Sequence, residues 1–266
     1  DACARAILPR YQALSRDEIA EKAANDFVTV ADRDSEAILA EALGRLLPEA
    51  AVVGEEAAHA DPAVLDRLGD PLCWIIDPLD GTFNFAHGRE PFGVLVALAA
   101  GGETIAGWLY DPLRDRLCQA RKGEGALVDG EPVRARATQG AVPVAAVSLV
   151  FIPPARRSAI ARAIEPDFRM VDIPRCAAEQ YPRLALGEND VALVGRTLPW
   201  DHAAGVLWLN EAGGRAARTD GGEYRPAMWN EPGLIAASTP DIWERFAARF
   251  CDAAIFPPAA MPPGGS

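Results

Sequence analysis

The apolar residues of this chain fall into short runs cut by Gly, Pro and Asp, and that segmentation limits the fold more than any other feature. The longest run is well short of the ~18 residues that a membrane-spanning helix needs, so no membrane partner is expected. In the first half the runs have strand length: Ala51 to Val53, Leu72 to Ile76, Gly93 to Ala99, Glu103 to Tyr110 and Arg116 to Arg121. Gly101-Gly102 and Asp111-Pro112 mark turns between them. Ahead of these, Ser15 to Ala24 reads as a helix and Asp32 to Leu47 as a stronger one. In the latter, Ala37, Ile38, Ala40, Ala42, Leu43, Leu46 and Leu47 recur at helical spacing, and Pro48 is a stop.

The stretch Glu131 to Pro143 is polar and marks a seam. Beyond it strands and helices alternate: strand Val144 to Phe151, helix Ala155 to Ile164, strand Val191 to Val194, helix Asp201 to Ala212, strand Gly233 to Ala237, helix Pro240 to Phe250. The pattern predicts an α/β (α+β) chain with an N-terminal α+β half over 1–138 and a C-terminal α/β half over 139–256. The Pro/Gly-rich tail, 257–266, is expected to be loosely ordered. Half of the 266 residues are hydrophobic, enough for a sizeable core.

The formal net charge of −12 argues against a nucleic-acid surface read through basic patches. An anion bound here must be held by metal, backbone amides or a few placed cations. The five cysteines, Cys3, Cys73, Cys118, Cys176 and Cys251, are odd in number, widely spaced and without a C-x-x-C pair. That disfavours a disulfide framework or a zinc cluster and fits a reducing compartment. The first residues show no basic segment followed by an apolar one, so the expected location is cytoplasmic.

The densest chemistry lies in Trp74-Ile75-Ile76-Asp77-Pro78-Leu79-Asp80-Gly81-Thr82. An apolar strand stops at two carboxylates three residues apart, split by proline and followed by Gly-Thr. A tight turn there can aim Asp77, Asp80 and the Leu79 carbonyl at one point, while Gly81 lets backbone amides approach an anion. Oxygen ligands of this kind suit magnesium or manganese better than zinc. Ordinary turn chemistry is the alternative. Gly54-Glu55-Glu56 again places carboxylates where an apolar run stops, and reads equally as a loop or a helix start. In Leu198-Pro199-Trp200-Asp201-His202-Ala203-Ala204-Gly205, Asp201 opens an apolar helix as an N-cap or as a ligand beside anion-facing amides.

Taken together and in this order, the three motifs resemble the inositol monophosphatase family of lithium-sensitive, magnesium-dependent phosphatases, alongside fructose bisphosphatases and nucleotide 3′-phosphatases. The resemblance extends to Asp26-Phe27-Val28-Thr29-Val30-Ala31-Asp32, Asn84-Phe85-Ala86-His87-Gly88, Arg121-Lys122-Gly123-Glu124-Gly125-Ala126 with Asp129-Gly130, and Glu211-Ala212-Gly213-Gly214. It implies a layered α-β-α-β-α sandwich, a homodimer, and a site between the two halves. It further implies that Glu55, Asp77 and the Leu79 carbonyl hold one Mg2+, and that Asp77, Asp80 and Asp201 hold a second. A third, weaker metal near Glu55 is also implied, with Mn2+ as a substitute. Thr82 with Glu55 is then expected to position and deprotonate the attacking water. Asp80 also counts among the catalytic residues, and Asp80, Gly81, Thr82, Ala177 and Asp201 are expected to face the substrate, a small-molecule phosphate monoester. An acidic cage makes sense for a dianionic substrate only when metal neutralises it.

The chain departs from the resemblance where substrate is chosen. The Gly-Ser/Thr-Ala pattern of inositol-type members is replaced by Pro174-Arg175-Cys176-Ala177-Ala178-Glu179-Gln180-Tyr181, in which Ala177 still offers its amide. Val194 stands seven residues before Asp201, where many such members carry a glutamate for ring hydroxyls. Arg183 and Arg196 are candidate cations for a second anionic group or plain surface arginines. The expected activity is hydrolysis of a small polyol or sugar-like phosphate such as inositol 1-phosphate. Histidinol phosphate, fructose 1,6-bisphosphate and a nucleotide 3′-phosphate are alternative substrates, and a non-catalytic, protein-binding regulator is the alternative of another class. His202, His87 and Trp200 are expected to pack, Cys176 to be a buried thiol, and Lys22 to be solvated or near the outer metal.

Overall fold

The computed structural model describes residues 1–23, 26–147, 149, 152, 154–231 and 233–250. The tail at 257–266 and Cys251 lie outside them. After short helical turns at Cys3–Ile7 and Leu8–Arg10, β1 (Ile19–Ala23) and β2 (Asp26–Thr29) form an antiparallel pair. Then follow α1 (Val30–Leu46), β3 (Ala51–Gly54), α2 (Glu55–Ala60), β4 (Cys73–Asp80), α3 (Thr82–Ala86), β5 (Gly93–Ala100), β6 (Glu103–Asp111), β7 (Arg116–Arg121), β8 (Ala126–Val128) and β9 (Glu131–Val133). The remainder comprises β10 (Val144–Val147), α4 (Pro154–Ile164), β11 (Arg169–Val171), α5 (Ala177–Ala185), β12 (Val191–Val194), α6 (Pro199–Glu211), β13 (Arg215–Arg218), β14 (Leu234–Ala237) and α7 (Pro240–Ala247).

Strands β3 to β9 lie side by side in sequence order in one sheet of seven, with β3 and β4 parallel and all later neighbours antiparallel. A second sheet runs β11-β10-β12-β14-β13, parallel through β11, β10 and β12 and antiparallel beyond. Helix α6 packs on β5, β6 and β7 of the first sheet and on β13 of the second, while α5 meets β5, β6, β12 and β14. These two helices form the middle layer. Helix α1 covers β4 from the far side, and α4 and α7 cover the outer face of the second sheet. The result is the α-β-α-β-α sandwich.

A helix between two sheets has no solvent face, and α6 is built accordingly: ten of its thirteen residues are buried. Its Ala204 sits against Gly107 of β6, where a Cβ would fall 2.8 Å from the Ala204 Cα. The central core joins Leu95, Leu109, Leu184, Trp208 and Leu209 across both halves of the chain. A separate outer core packs Val147, Leu193, Ile235, Trp243 and Phe246 under α7.

Three sequence expectations are corrected. Residues 15–23 do not form a helix: a short turn at Arg16–Glu18 leads into β1, whose pairing with β2 overrides the helix-forming composition, and Ala24 lies outside the described residues. Strand β4 runs on from Ile76 through Asp80 instead of stopping. Helix α6 begins at Pro199 with Leu198 as N-cap, so Asp201 lies inside the first turn and is not the cap. For the expected strand Val144 to Phe151, the structure gives Val144–Val147, and 148, 150 and 151 lie outside the described residues.

Candidate active site

Side chains alternate along a strand, so carboxylates three residues apart should face opposite sides of the sheet. In β4 they do not, because the register slips. Asp77 pairs with Leu95 and Asp80 with Gly93, so three steps on β4 oppose two on β5. This bulge flips the phase and turns Asp77 and Asp80 into the same cleft. Pro78, which has no N–H to offer a ladder, sits within it. The Ser35 hydroxyl of α1 holds the bulge from behind by donating to the Pro78 carbonyl at 2.9 Å.

The chain then turns at Gly81, whose φ of 83° is left-handed. A Cβ here would lie 2.8 Å from the Pro91 carbonyl oxygen, so glycine is required twice over. Thr82 follows at the start of α3, and its hydroxyl lies 2.9 Å from Asp32 Oδ1 and 2.8 Å from the Leu79 carbonyl oxygen. Asp32 is fixed in turn by a reciprocal cap. The Thr29 side chain accepts from the Ala31 amide, while Asp32 Oδ2 accepts from the Thr29 amide and hydroxyl at 2.8 and 2.6 Å. Sequence reasoning placed Asp32 only in a motif and missed it as Thr82's partner. The Thr29-x-x-Asp32 capping box was the available signal.

Glu55 begins α2 directly after β3, parallel to β4, so both strands end at the same cleft. Helix α2 has no cap of its own. Glu36 of α1 supplies one, its carboxylate accepting from the Glu56 and Ala57 amides at 2.8 Å each. Gly54 makes room, since a Cβ there would meet the Glu36 carboxylate at 2.3 to 2.6 Å. Asp201 arrives from the other side, on the first turn of α6. Across the seam, Asp80 Oδ2 accepts from the Ala178 amide at 2.6 Å and from the Cys176 thiol at 3.1 Å. The N-terminus of α5 therefore grips Asp80, and Ala177 lies beside that contact.

Glu55, Asp77, Leu79, Asp80, Gly81, Thr82, Ala177 and Asp201 all line this one cleft. Burial pushes the Asp77 carboxyl well above the usual range, and the charges of Glu55, Asp80, Asp201 and Asp32 push it further. Burial also raises Asp80 against the hydrogen bonds from Ala178 and Cys176, and raises Asp32 to about 7. The donor set is oxygen only, as a hard divalent cation requires, and the mutual repulsion is what such a cation would relieve. Among the described residues no three His, Cys, Asp or Glu side chains stand gathered as a ready-made cage, so the carboxylates share the cleft without closing around one point.

The neighbours have settled roles. His202 is buried, with Nε2 3.1 Å from the Arg196 carbonyl and Nδ1 2.9 Å from the Tyr181 hydroxyl. A carbonyl only accepts, so Nε2 carries the proton and Nδ1 accepts from tyrosine. Burial lowers its pKa to about 4, which keeps the ring neutral. Burial raises the Cys176 thiol, and the adjacent Asp80 charge adds to this, so it is no thiolate nucleophile. Arg175 stacks its guanidinium 3.6 Å from the Phe83 ring centre at the cleft. Arg183 points elsewhere, to Glu179 and Glu188, and Val194 lines the cleft with no polar atom to offer. Among the described residues no helix is long and apolar enough to cross a membrane.

Comparison with known proteins gives the family and the fold. The model of the inositol monophosphatase family matches residues 2–254. The chain is 29% identical over 252 residues to the Escherichia coli protein named Nus factor SuhB, covering 92% of this chain and 90% of that one. It is 32% identical over 206 residues to a fructose-1,6-bisphosphatase/inositol-1-monophosphatase of Aquifex aeolicus, covering 76% and 75%. The crystal structure of the extragenic suppressor protein suhB from Bartonella henselae superposes with a TM-score of 0.75 at 26% identity, over 95% of this chain and 98% of the other.

Proposed function

This chain belongs to the inositol monophosphatase family, and from that premise we propose that it is a divalent-cation-dependent phosphomonoesterase acting on a small polyol or sugar-like phosphate. One observation carries the reading: Glu55, Asp77, Asp80 and Asp201, drawn from both halves of the chain, line a single cleft in which their charges oppose one another. A buried acidic cluster is costly to the fold, and it repels a phosphate dianion unless cations lie between.

In this reading Glu55, Asp77 and the Leu79 carbonyl hold one Mg2+, and Asp77, Asp80 and Asp201 a second. When bound, the metal supplies charge neutralisation and a lowered pKa for the attacking water. The chain's own groups do the rest. The Gly81 and Thr82 amides, exposed by the left-handed turn, face the phosphate oxygens. Thr82 donates its hydroxyl hydrogen to Asp32 Oδ1, which leaves the oxygen lone pairs free to orient a water together with Glu55. Asp32 Oδ1, 2.9 Å from the Thr82 hydroxyl, is placed to receive the proton through it. Asp80 is held still by the Ala178 amide, and Asp201 faces the same cleft from the first turn of α6.

A role as a Nus factor, the name borne by the Escherichia coli relative, is the second reading, and the complete carboxylate set favours the first. Phosphate release is measured from inositol 1-phosphate, fructose 1,6-bisphosphate, histidinol phosphate, 3′-phosphoadenosine 5′-phosphate and glycerol 2-phosphate, with magnesium and with chelator. Release that requires magnesium supports the enzyme. Release unchanged after exhaustive chelation, or none from any substrate, overturns it.

A further inference from the structure

Helix α5 presents one face to the cleft. Ala177, Gln180, Tyr181 and Leu184 recur at helical spacing and all line it. The polar groups of this helix are otherwise accounted for. Glu179 is paired with Arg116 and Arg183, and the Tyr181 hydroxyl is engaged by His202. Gln180 differs. The residue is only 8% exposed, yet neither its side-chain amide nitrogen nor its amide oxygen has a hydrogen-bond partner among the described residues. Its backbone is satisfied in the ordinary way, the amide donating to the Cys176 carbonyl at 2.9 Å, so only the side chain is left over.

The surroundings sharpen the point. The cleft that Gln180 lines has an apolar wall of Leu184 on its own helix, Ala192 and Val194 on β12 and Ala236 on β14, beside the polar Arg196, Asp201 and His202. A buried amide in such a wall suffers its full desolvation cost unless something in the cleft completes it. The group offers a donor and an acceptor side by side and no charge. Its natural complement is a hydroxyl, which gives and takes one hydrogen bond at once. A second phosphate or a carboxylate would match only the donor and would face the acceptor oxygen.

We propose that the Gln180 side-chain amide is a specificity-determining contact that reads an uncharged hydroxyl on the leaving group of the substrate. The inference rests on the phosphomonoesterase reading and names what distinguishes one ester from another. It assigns Gln180 no part in the hydrolysis itself. In this reading Gly81, Thr82 and the carboxylates serve the phosphate, and Gln180 serves the alcohol.

The test compares wild type with Gln180→Met, which keeps the length of the side chain and removes both polar atoms, and with Gln180→Asn, which withdraws the amide by one methylene. Magnesium-supported hydrolysis is measured for myo-inositol 1-phosphate and for p-nitrophenyl phosphate, whose leaving group bears no further hydroxyl. The expected result is a fall of about ten- to a hundredfold in the ratio of the two kcat/KM values for Gln180→Met. The loss should lie mainly in KM for the inositol ester, with Gln180→Asn also shifted toward the phenyl ester. A ratio that stays at the wild-type value, whether both activities fall together or neither does, overturns the assignment and leaves the phosphatase reading intact. Wild type that hydrolyses the phenyl ester and not the inositol ester also overturns it. Wild type that hydrolyses neither of these, nor any other ester of the panel above, overturns the underlying reading.

Discussion

The acidic cleft makes the metal-free protein sensitive to pH in an unusual direction. Asp32 has a pKa of about 7 in the fold, and Asp77 and Asp80 are also raised, in each case first by burial. A carboxyl whose folded pKa exceeds its unfolded value keeps its proton longer in the folded state. Its stabilising contribution is complete below the unfolded pKa and disappears as pH rises through the folded one. His202 works the other way: its pKa is lowered to about 4, so its contribution is complete above the unfolded value and is lost in acid. Between about pH 6.5 and 8 the folded histidine is neutral, and loss of the remaining charge on its unfolded form, whose pKa is about 6.5, offsets only about 0.4 kcal/mol of what the carboxyls remove. Across that window Asp32 alone removes about 1 kcal/mol, and Asp77 and Asp80, raised by the same burial, act in the same direction. For a chain of this size the melting temperature in chelator should therefore fall by about 1 to 4 °C. Differential scanning fluorimetry at the two pH values measures it, and magnesium should raise the melting temperature more at the higher pH. Asp77→Asn keeps the acceptor for the Leu79 amide, which lies 3.0 Å from Asp77 Oδ1, and removes the charge, so its fall should be smaller. A metal-free melting temperature that stays level or rises from pH 6.5 to 8 would refute the electrostatic argument.

Two further outcomes follow from the same contacts. Asp80→Asn and Asp201→Asn should each abolish nearly all magnesium-dependent phosphate release while circular dichroism stays native, and wild-type turnover by either would remove that residue from the metal set. Gly205→Ala places a Cβ within 2.0 to 2.5 Å of the Tyr181 ring, which is boxed in by His202, so urea unfolding should show a loss of about 1 to 3 kcal/mol or more, and an unchanged midpoint would contradict the tight packing of α5 on α6.

Local pattern was legible wherever an element's own residues decide its form. The strands Arg116–Arg121 and Val191–Val194 have the limits their composition marks, and α1 and α4 begin within two residues of the helices read from periodicity. The motif residues around Asp77 were legible for the same reason, since bulge, proline and glycine sit side by side in the chain. Helix α5 was not: Pro182 lies inside it, and proline normally reads as a break. Burial of its Ala178, Tyr181 and Leu184 between the sheets holds it helical.

What the sequence determined by itself is the alternation of strands and helices and the identity of the acidic groups, because both depend on neighbours along the chain. Tertiary structure alone decided which groups meet. Asp32 reaches Thr82 across 50 residues, Glu36 caps α2 from 20 residues away, and the Ala178 amide steadies Asp80 across 98. Gln180 is a surface-type residue in any local reading, and only the closing of two sheets over α5 buries its amide in the cleft. Periodicity records which face of an element turns inward; it does not record which other element that face will find.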